Sequence, residues 1–254
     1  MIRFGPAGLG PVKTAEEMLL HLHNLGIRAC EIAFTYGVYI KKEDAVRIGK
    51  KAKELDIRLS IHAPYYVNLN SSDEKKIGAT KKRILDCCEI GELLNAELVV
   101  FHPGYYSKDR EESFQQIKKG IIEIMNVLKE RKWKIKIAPE TMGKINVFGS
   151  IEEISRLVKE TNCSFCIDFA HILAREKKVD YEKIERLFPE KEWHVHFSGI
   201  EYGDKGERNH VSTEKEKWVE LLKNMPNDKE IVLINESPTM LEDCLEGMRV
   251  HKSI

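Results

Sequence analysis

The sequence predicts a single α/β domain over residues 1–254, folded as a (β/α)8 TIM barrel with a metal site at the C-terminal ends of its strands. Three observations carry that prediction. Eight short apolar runs alternate with amphipathic stretches along the chain, the pattern of a parallel sheet whose connections are helices. The length, 254 residues, matches the ~250 typical of such a barrel. Five of the runs close on histidine, aspartate or glutamate and a sixth carries His196 one residue before its end, and strand C-termini are where this architecture carries its chemistry.

In chain order the strands are expected at Ile2–Phe4, Ala29–Ala33, Arg58–His62, Leu98–His102, Lys136–Glu140, Ser164–Asp168, Trp193–Phe197 and Ile231–Glu236. They are short and rich in β-branched and aromatic residues. Helices are expected at Thr14–Leu25, Lys42–Leu55, Lys75–Leu94, Glu111–Arg131, Ser150–Lys159, Asp180–Leu187, Glu214–Asn224 and Met240–Val250, with Thr14, Ser150 and Thr213 as capping residues. A doubly wound open sheet is the rival, but the turn Gly5-Pro-Ala-Gly-Leu-Gly10 after the first strand does not fit the GxGxxG phosphate fingerprint.

Composition narrows the function classes. The chain is 42% hydrophobic and 32% charged, which is globular, and its 41 basic residues balance 41 acidic ones, so no polyanion partner is announced by net charge. No segment approaches the ~20 apolar residues of a membrane span, and Met1-Ile-Arg-Phe4 leads into a Gly/Pro turn with no apolar signal region. A cytoplasmic monomer with no membrane partner is the expectation. Six cysteines do not make a disulfide scaffold, and Cys163 and Cys166 lie on a strand, where residues three apart face opposite ways.

Strand alternation gathers the polar ends. Counting back in twos, His102 shares a face with Val100 and Leu98, Asp168 with Cys166 and Ser164, Glu236 with Ile234 and Val232, His196 with His194, and Glu140 with Ala138. The opposite parity carries Ile61, Phe101, Ile135, Ile137, Phe165, Ile167, Trp193 and Val195, bulky residues suited to pack under outer helices; Asn235 alone falls on that face as a polar misfit. One register therefore points His62, His102, Glu140, Asp168, His196 and Glu236 into the barrel mouth. Imidazoles and carboxylates crowded there need compensation, because an unpaired buried charge costs several kcal/mol. A divalent cation provides it, and His nitrogen with carboxylate oxygen suits zinc, manganese or iron. A lone strand-end histidine reads as a satisfied core residue; six strand ends together read as a metal cluster. His171 and His210, in the loops expected after strands six and seven, become further ligand candidates beside it, and His194 lies one layer below. Seven of the eight tyrosines (36, 39, 65, 66, 105, 106 and 202) follow strands, which suggests a stacking surface for bases or sugar rings.

These residues resemble the endonuclease IV family of apurinic/apyrimidinic endonucleases, within the xylose-isomerase-like barrels. The motifs that carry the resemblance are Ile61-His-Ala-Pro-Tyr-Tyr-Val-Asn-Leu69, Val100-Phe-His-Pro-Gly104, Pro139-Glu-Thr-Met-Gly143, Cys166-Ile-Asp-Phe-Ala-His171, Val195-His196 and Leu233-Ile-Asn-Glu236. The resemblance implies two or three ions, usually Zn2+ with Mn2+ as the alternative. It implies one ion on His62, His102 and Glu140, a second shared by Glu140 with Asp168, His196 and Glu236, and a third on His171 and His210. The chain departs from the family at the third: Arg208, beside Asn209, stands where the family has aspartate two residues before His210. Ser198-Gly199 stands where it has aspartate after the strand-seven histidine, and the run after Glu140 is one residue shorter.

The activity implied is metal-assisted hydrolysis of damaged duplex DNA on the 5′ side of abasic sites, as in base excision repair. Glu140 and Glu236 would be the catalytic carboxylates, Lys144, Lys205 and Arg208 would touch the DNA backbone, and Tyr65 or Tyr36 would fill the gap in a distorted duplex. The alternative is a sugar isomerase or epimerase holding one metal on Glu140, Asp168, His196 and Glu236, with two glutamates as acid and base. The additional histidines are superfluous for that second reading.

Overall fold

A computed structural model describes all 254 residues. The eight barrel strands are β1 (Ile2–Pro6), β2 (Ala29–Ala33), β3 (Arg58–His62), β4 (Leu98–Phe101), β5 (Lys136–Pro139), β6 (Cys166–Asp168), β7 (Glu192–Phe197) and β8 (Glu230–Asn235). They pair in parallel as two arcs, in the order β1-β8-β7-β6 and β2-β3-β4-β5. Two short junctions close the cylinder. Glu140 bridges Cys166 between β5 and β6, and the Arg28 amide donates to the Phe4 carbonyl (3.2 Å) between β1 and β2. The fold is the single TIM barrel that strand–helix alternation predicts.

The two faces of each strand separate as the period of two requires. Leu98, Val100, Ala138 and Cys166 form one small apolar cluster inside the cylinder, and Ala29, Val232 and Ile234 another. The opposite faces, including Ile61, Phe101, Ile137, Ile167, Trp193 and Val195, belong to a 58-residue core between sheet and helices. Asn235, the misfit, is fully buried, donates to Thr213 Oγ1 (3.3 Å) and accepts from the Ser237 amide (3.0 Å), so it fastens the turn leaving β8.

The outer helices are α1 (Ala15–Asn24), α2 (Lys42–Glu54), α3 (Glu74–Leu94), α4 (Arg110–Glu130), α5 (Ile151–Thr161), α6 (Phe169–Glu176), α7 (Tyr181–Leu187), α8 (Lys215–Asn224) and α9 (Met240–Ser253). Ser150 forms a full capping box with Glu153. Thr14 and Thr213 do not cap: a 3-10 turn, Val12–Thr14, precedes α1, and Thr213 instead accepts the Gly199 amide through its hydroxyl (3.0 Å). No helix is long and apolar enough to cross a membrane.

Three pieces of structure escape the alternation pattern, and one is a short antiparallel pair, Gly104–Tyr105 with Val147–Phe148, in the segments that follow β4 and β5. Helix α6 starts directly from Asp168, whose Oδ1 accepts the His171 amide (2.7 Å) as the N-cap. An antiparallel hairpin, Gly199–Gly203 with Gly206–Val211, replaces the loop expected after β7. Its turn presses on the segment after β5. Gly206 has φ +96°, and a Cβ there would meet the Gly143 carbonyl oxygen at 2.1 Å, so glycine is required.

Candidate metal centre

His62 ends β3, and Glu140 and His102 directly follow β5 and β4. The Glu140 carboxylate, fully buried, splits its two oxygens between neighbours. Oε2 lies 3.3 Å from His62 Nε2 and 3.1 Å from His102 Nε2; Oε1 lies 3.1 Å from His196 Nδ1. Glu236, just beyond β8, places Oε2 3.5 Å from the same His196 nitrogen. Two ligand groups result, His62/His102/Glu140 and Glu140/Asp168/His196/Glu236, each with its atoms within 4.8 Å of one another. Glu140 belongs to both.

A third group adjoins them: His171, His210 and Glu207. His171 sits in the first turn of α6, not in a loop, and His210 sits on the second hairpin strand, where Ser198 Oγ lies 2.6 Å from its Nδ1. Glu207, which the sequence offers only as a stand-in for the aspartate that Arg208 replaces, is outside the expected ligand set, and the structure brings it in. In a regular strand residues 207 and 210 would face opposite ways. The hairpin register shifts, pairing Glu201 with Asn209 but Tyr202 with Glu207, so Arg208 is the extra residue of a bulge. The bulge turns Glu207 inward, with Oε2 3.4 Å from His171 Nε2 and Oε1 3.8 Å from Lys144 Nζ. Arg208 itself is exposed, its guanidinium lying over Gly203.

The donor chemistry fits cations. Three of the histidines have one ring nitrogen held from outside the cluster, His62 Nδ1 by the Ala63 carbonyl (2.7 Å), His171 Nδ1 by the Thr141 carbonyl (3.0 Å) and His210 by Ser198, while His196 Nε2 lies 3.1 Å from Glu31 Oε1 without a hydrogen bond to it. That is the outer support expected of metal-ligating imidazoles, and it leaves the other nitrogen facing carboxylates. Asp168 Oδ2 and Glu207 Oε2 are buried with no hydrogen-bond donor. A buried carboxylate oxygen without a donor calls for a positive ion.

Electrostatics agree. Burial pushes the Glu140 carboxyl up, but His102, His196 and His62 together hold it well below the usual range. Burial also raises Asp168, and with Glu140 and Glu236 nearby its pKa reaches about 6 despite His171. For His171, burial opposes the charged form, yet Asp168, Glu140 and Glu207 lift it to about 9. His62 and His196 move upward against burial for the same reason, whereas at His102 burial prevails and lowers it. In the metal-free protein protons therefore hold the carboxylates together. His171 binds its proton more tightly folded than unfolded, so its contribution is complete below its ordinary value of 6.5 and disappears as pH climbs through about 9. The chelated protein is expected to lose thermal stability across that window, His62 and His196 adding to the loss. Melting temperatures across the window check it, and a flat profile refutes it.

Around the mouth, Tyr65 lies with its ring 4.8 Å from His62 and 5.2 Å from His102, centroid to centroid. Tyr36 is 91% exposed, and its carbonyl accepts the Tyr66 hydroxyl. Tyr106 is structural: its hydroxyl donates to Glu153 and accepts from Arg175. A cleft of about 240 Å³ between Tyr65, Tyr105, His102, Lys144 and Glu207 opens onto the centre. A larger cavity, about 770 Å³, lies among Trp133, Cys163 and Glu190 at the opposite end of the barrel and contains none of the cluster residues. The smaller cleft is the one placed for chemistry.

The model of the xylose isomerase-like TIM barrels matches residues 19–253. An uncharacterized protein of Methanocaldococcus jannaschii is 36% identical over all of this chain and 98% of its own length. A probable endonuclease 4 of Mycobacterium ulcerans is 26% identical over 52% of this chain and 51% of its own. Three solved structures share the fold. SacUVDE has a TM-score of 0.76 at 16% identity, covering 99% of this chain and 98% of its own. Endonuclease IV from Thermus thermophilus has 0.67 at 20%, covering 99% and 97%. D-Psicose 3-epimerase from Clostridium cellulolyticum has 0.67 at 13%, covering 94% and 90%.

Proposed function

The chain belongs to the xylose isomerase-like TIM barrel family, and on that premise we propose that it is a metal-dependent phosphodiester hydrolase of the endonuclease IV kind, cleaving DNA 5′ to abasic sites. The observation that supports this reading is the sharing of Glu140 between adjoining ligand groups, with a third group, His171/Glu207/His210, beside them. One-metal chemistry has no use for that many donors. Similarity to proteins named endonuclease 4 points the same way.

His62, His102 and Glu140 would hold one ion, Glu140, Asp168, His196 and Glu236 a second, and His171, His210 and Glu207 a third, zinc or manganese by donor type. Bound ions supply Lewis-acid stabilisation of the charge that develops on phosphoryl oxygens. The chain's own groups do the rest. Glu140 fixes the spacing of the two inner groups. Glu236, held below its ordinary carboxylate pKa despite burial because His196 faces it, is ionised at neutral pH and accepts a proton from the attacking water. Tyr65 covers His62 and His102, and Tyr36 offers a face to an unstacked base. Lys144 and Arg208 contact phosphates, which positions the duplex.

A synthetic duplex containing one abasic site tests the proposal. Cleavage in zinc or manganese is expected, to be abolished by chelator, and His102→Ala is expected to lower the rate by about 10²-fold or more. Cleavage by His102→Ala at the parent rate overturns the mechanism. The second reading, a one-metal sugar epimerase, is favoured by the Glu140/Asp168/His196/Glu236 set taken alone. Conversion of ketohexoses by a protein carrying one ion would establish it instead.

A further inference from the structure

Beneath the centre lies a polar layer that the proposed chemistry does not use. Glu31, on β2, is fully buried inside the cylinder. Its Oε2 accepts from Ser60 Oγ (2.8 Å) and lies 3.0 Å from His194 Nε2. Its Oε1 lies 3.1 Å from His196 Nε2. Cys166, the remaining polarisable neighbour, groups with His194 and His196 within 4.8 Å.

His196 is thereby distinguished from the other cluster histidines. His62 and His171 are anchored by backbone carbonyls and His210 by a serine hydroxyl, whereas the outer nitrogen of His196 faces a carboxylate that crosses the lumen from another strand. Both His196 nitrogens point at carboxylate oxygens, Nδ1 at Glu140 and Glu236 and Nε2 at Glu31. Which nitrogen keeps its proton decides where the ring can hold a metal. Ser60 and His194 lock the Glu31 carboxylate with Oε1 turned to His196. In the metal-free protein His196 bonds through Nδ1 to Glu140 Oε1 (3.1 Å), while Nε2 and Glu31 Oε1, 3.1 Å apart, are both buried without a hydrogen-bond partner. A cation on Nδ1 would move the proton to Nε2, where Oε1 is the unsatisfied acceptor within reach.

We propose that Glu31 is a positioning residue of the metal centre, selecting the Nε2–H form of His196 so that Nδ1 joins Glu140, Asp168 and Glu236 around a divalent cation. The inference rests on the metal-centre reading above, and it commits to the upper cluster over a lower site among Cys166, His194 and His196. A carboxylate supporting a ligating imidazole raises its basicity and fixes its ring, and loss of such support typically costs 10–100-fold in metal affinity.

Three measurements test it. In the zinc-loaded wild-type protein, nitrogen NMR of labelled histidine is expected to show the His196 proton on Nε2 and the metal on Nδ1; a proton on Nδ1 overturns the proposal whatever any variant does. Glu31→Leu, which removes the acceptor, is expected to lower affinity for one ion by about 10–100-fold while leaving the ion on His62 and His102 in place, read by calorimetric zinc titration and metal counting. Glu31→Gln keeps a carbonyl oxygen for the Nε2 proton and is expected to retain the tautomer with a smaller loss, which separates positioning from mere packing and serves if the leucine variant does not fold. Equal affinity in wild-type and variant proteins overturns the role of Glu31 alone. Absence of any bound ion in the wild-type protein overturns the metal-centre reading itself.

Discussion

Glu140→Gln is expected to empty both inner ligand groups at once and to reduce phosphodiester cleavage by at least about 10³-fold, the scale of removing one strong electrostatic contributor from an active site. The reason is geometric. Each oxygen of Glu140 serves a different side, Oε2 toward His62 and His102 and Oε1 toward His196. An amide offers one oxygen and one NH2, and the NH2 cannot ligate a cation. The same change weakens the metal-free fold by about 3–5 kcal/mol wherever the facing imidazoles are protonated, because buried cations lose their counter-charge. Metal counting, rate and chemical denaturation on one sample check all three parts. Retention of all ions by this variant refutes the shared-ligand arrangement.

Metal removal is expected to lower the melting temperature by roughly 8–16 °C for each ion held at a free concentration a thousand times its dissociation constant. Selective binding to the folded state contributes about 4 kcal/mol under that condition. For a chain of this size each kcal/mol moves the midpoint by about 2–4 °C. Thermal melts with and without chelator, beside ion counts by mass spectrometry, give the number of sites. Two or three ions with a proportionate shift support the nuclease reading, one ion supports the epimerase, and no shift removes the metal centre.

The barrel was legible because it is written twice, in strand–helix alternation and in the period of two along each strand. Val100, Ala138 and Val232 faced one way and Phe101, Ile137 and Trp193 the other, so the strand-end histidines and carboxylates followed. The features that escaped break those periodicities. Glu207 is brought inward by the bulge at Arg208, and a single inserted residue in a hairpin leaves no mark on hydrophobic patterning. Its local signals were its place beside the Arg208 that replaces the family's aspartate and the glycine at 206, which φ +96° requires. Glu31 escaped because it ends no strand: it lies mid-strand in Ala-Cys-Glu-Ile-Ala, and only coordinates reveal that it reaches His194 and His196. An acidic residue in the middle of an otherwise apolar strand is the clue that would have found it. Helix α6 was hidden because Asp168 is both the end of a strand and the cap of the helix that follows.

The cylinder is made of two half-shells with short joints: the Ser164 and Thr141 amides bond the Ile137 and Cys166 carbonyls (3.0 Å each) around the bridge at Glu140, and the Arg28 amide bonds the Phe4 carbonyl at the other joint. His196, on one half-shell, is hydrogen-bonded to Glu140 above and lies 3.1 Å from Glu31 below, both rooted in the other half-shell. That single imidazole works as a rivet. Forces that pull the halves apart load it first, so the barrel is expected to part along those joints when the rivet is loosened, with amide exchange beginning at strands β5 and β6.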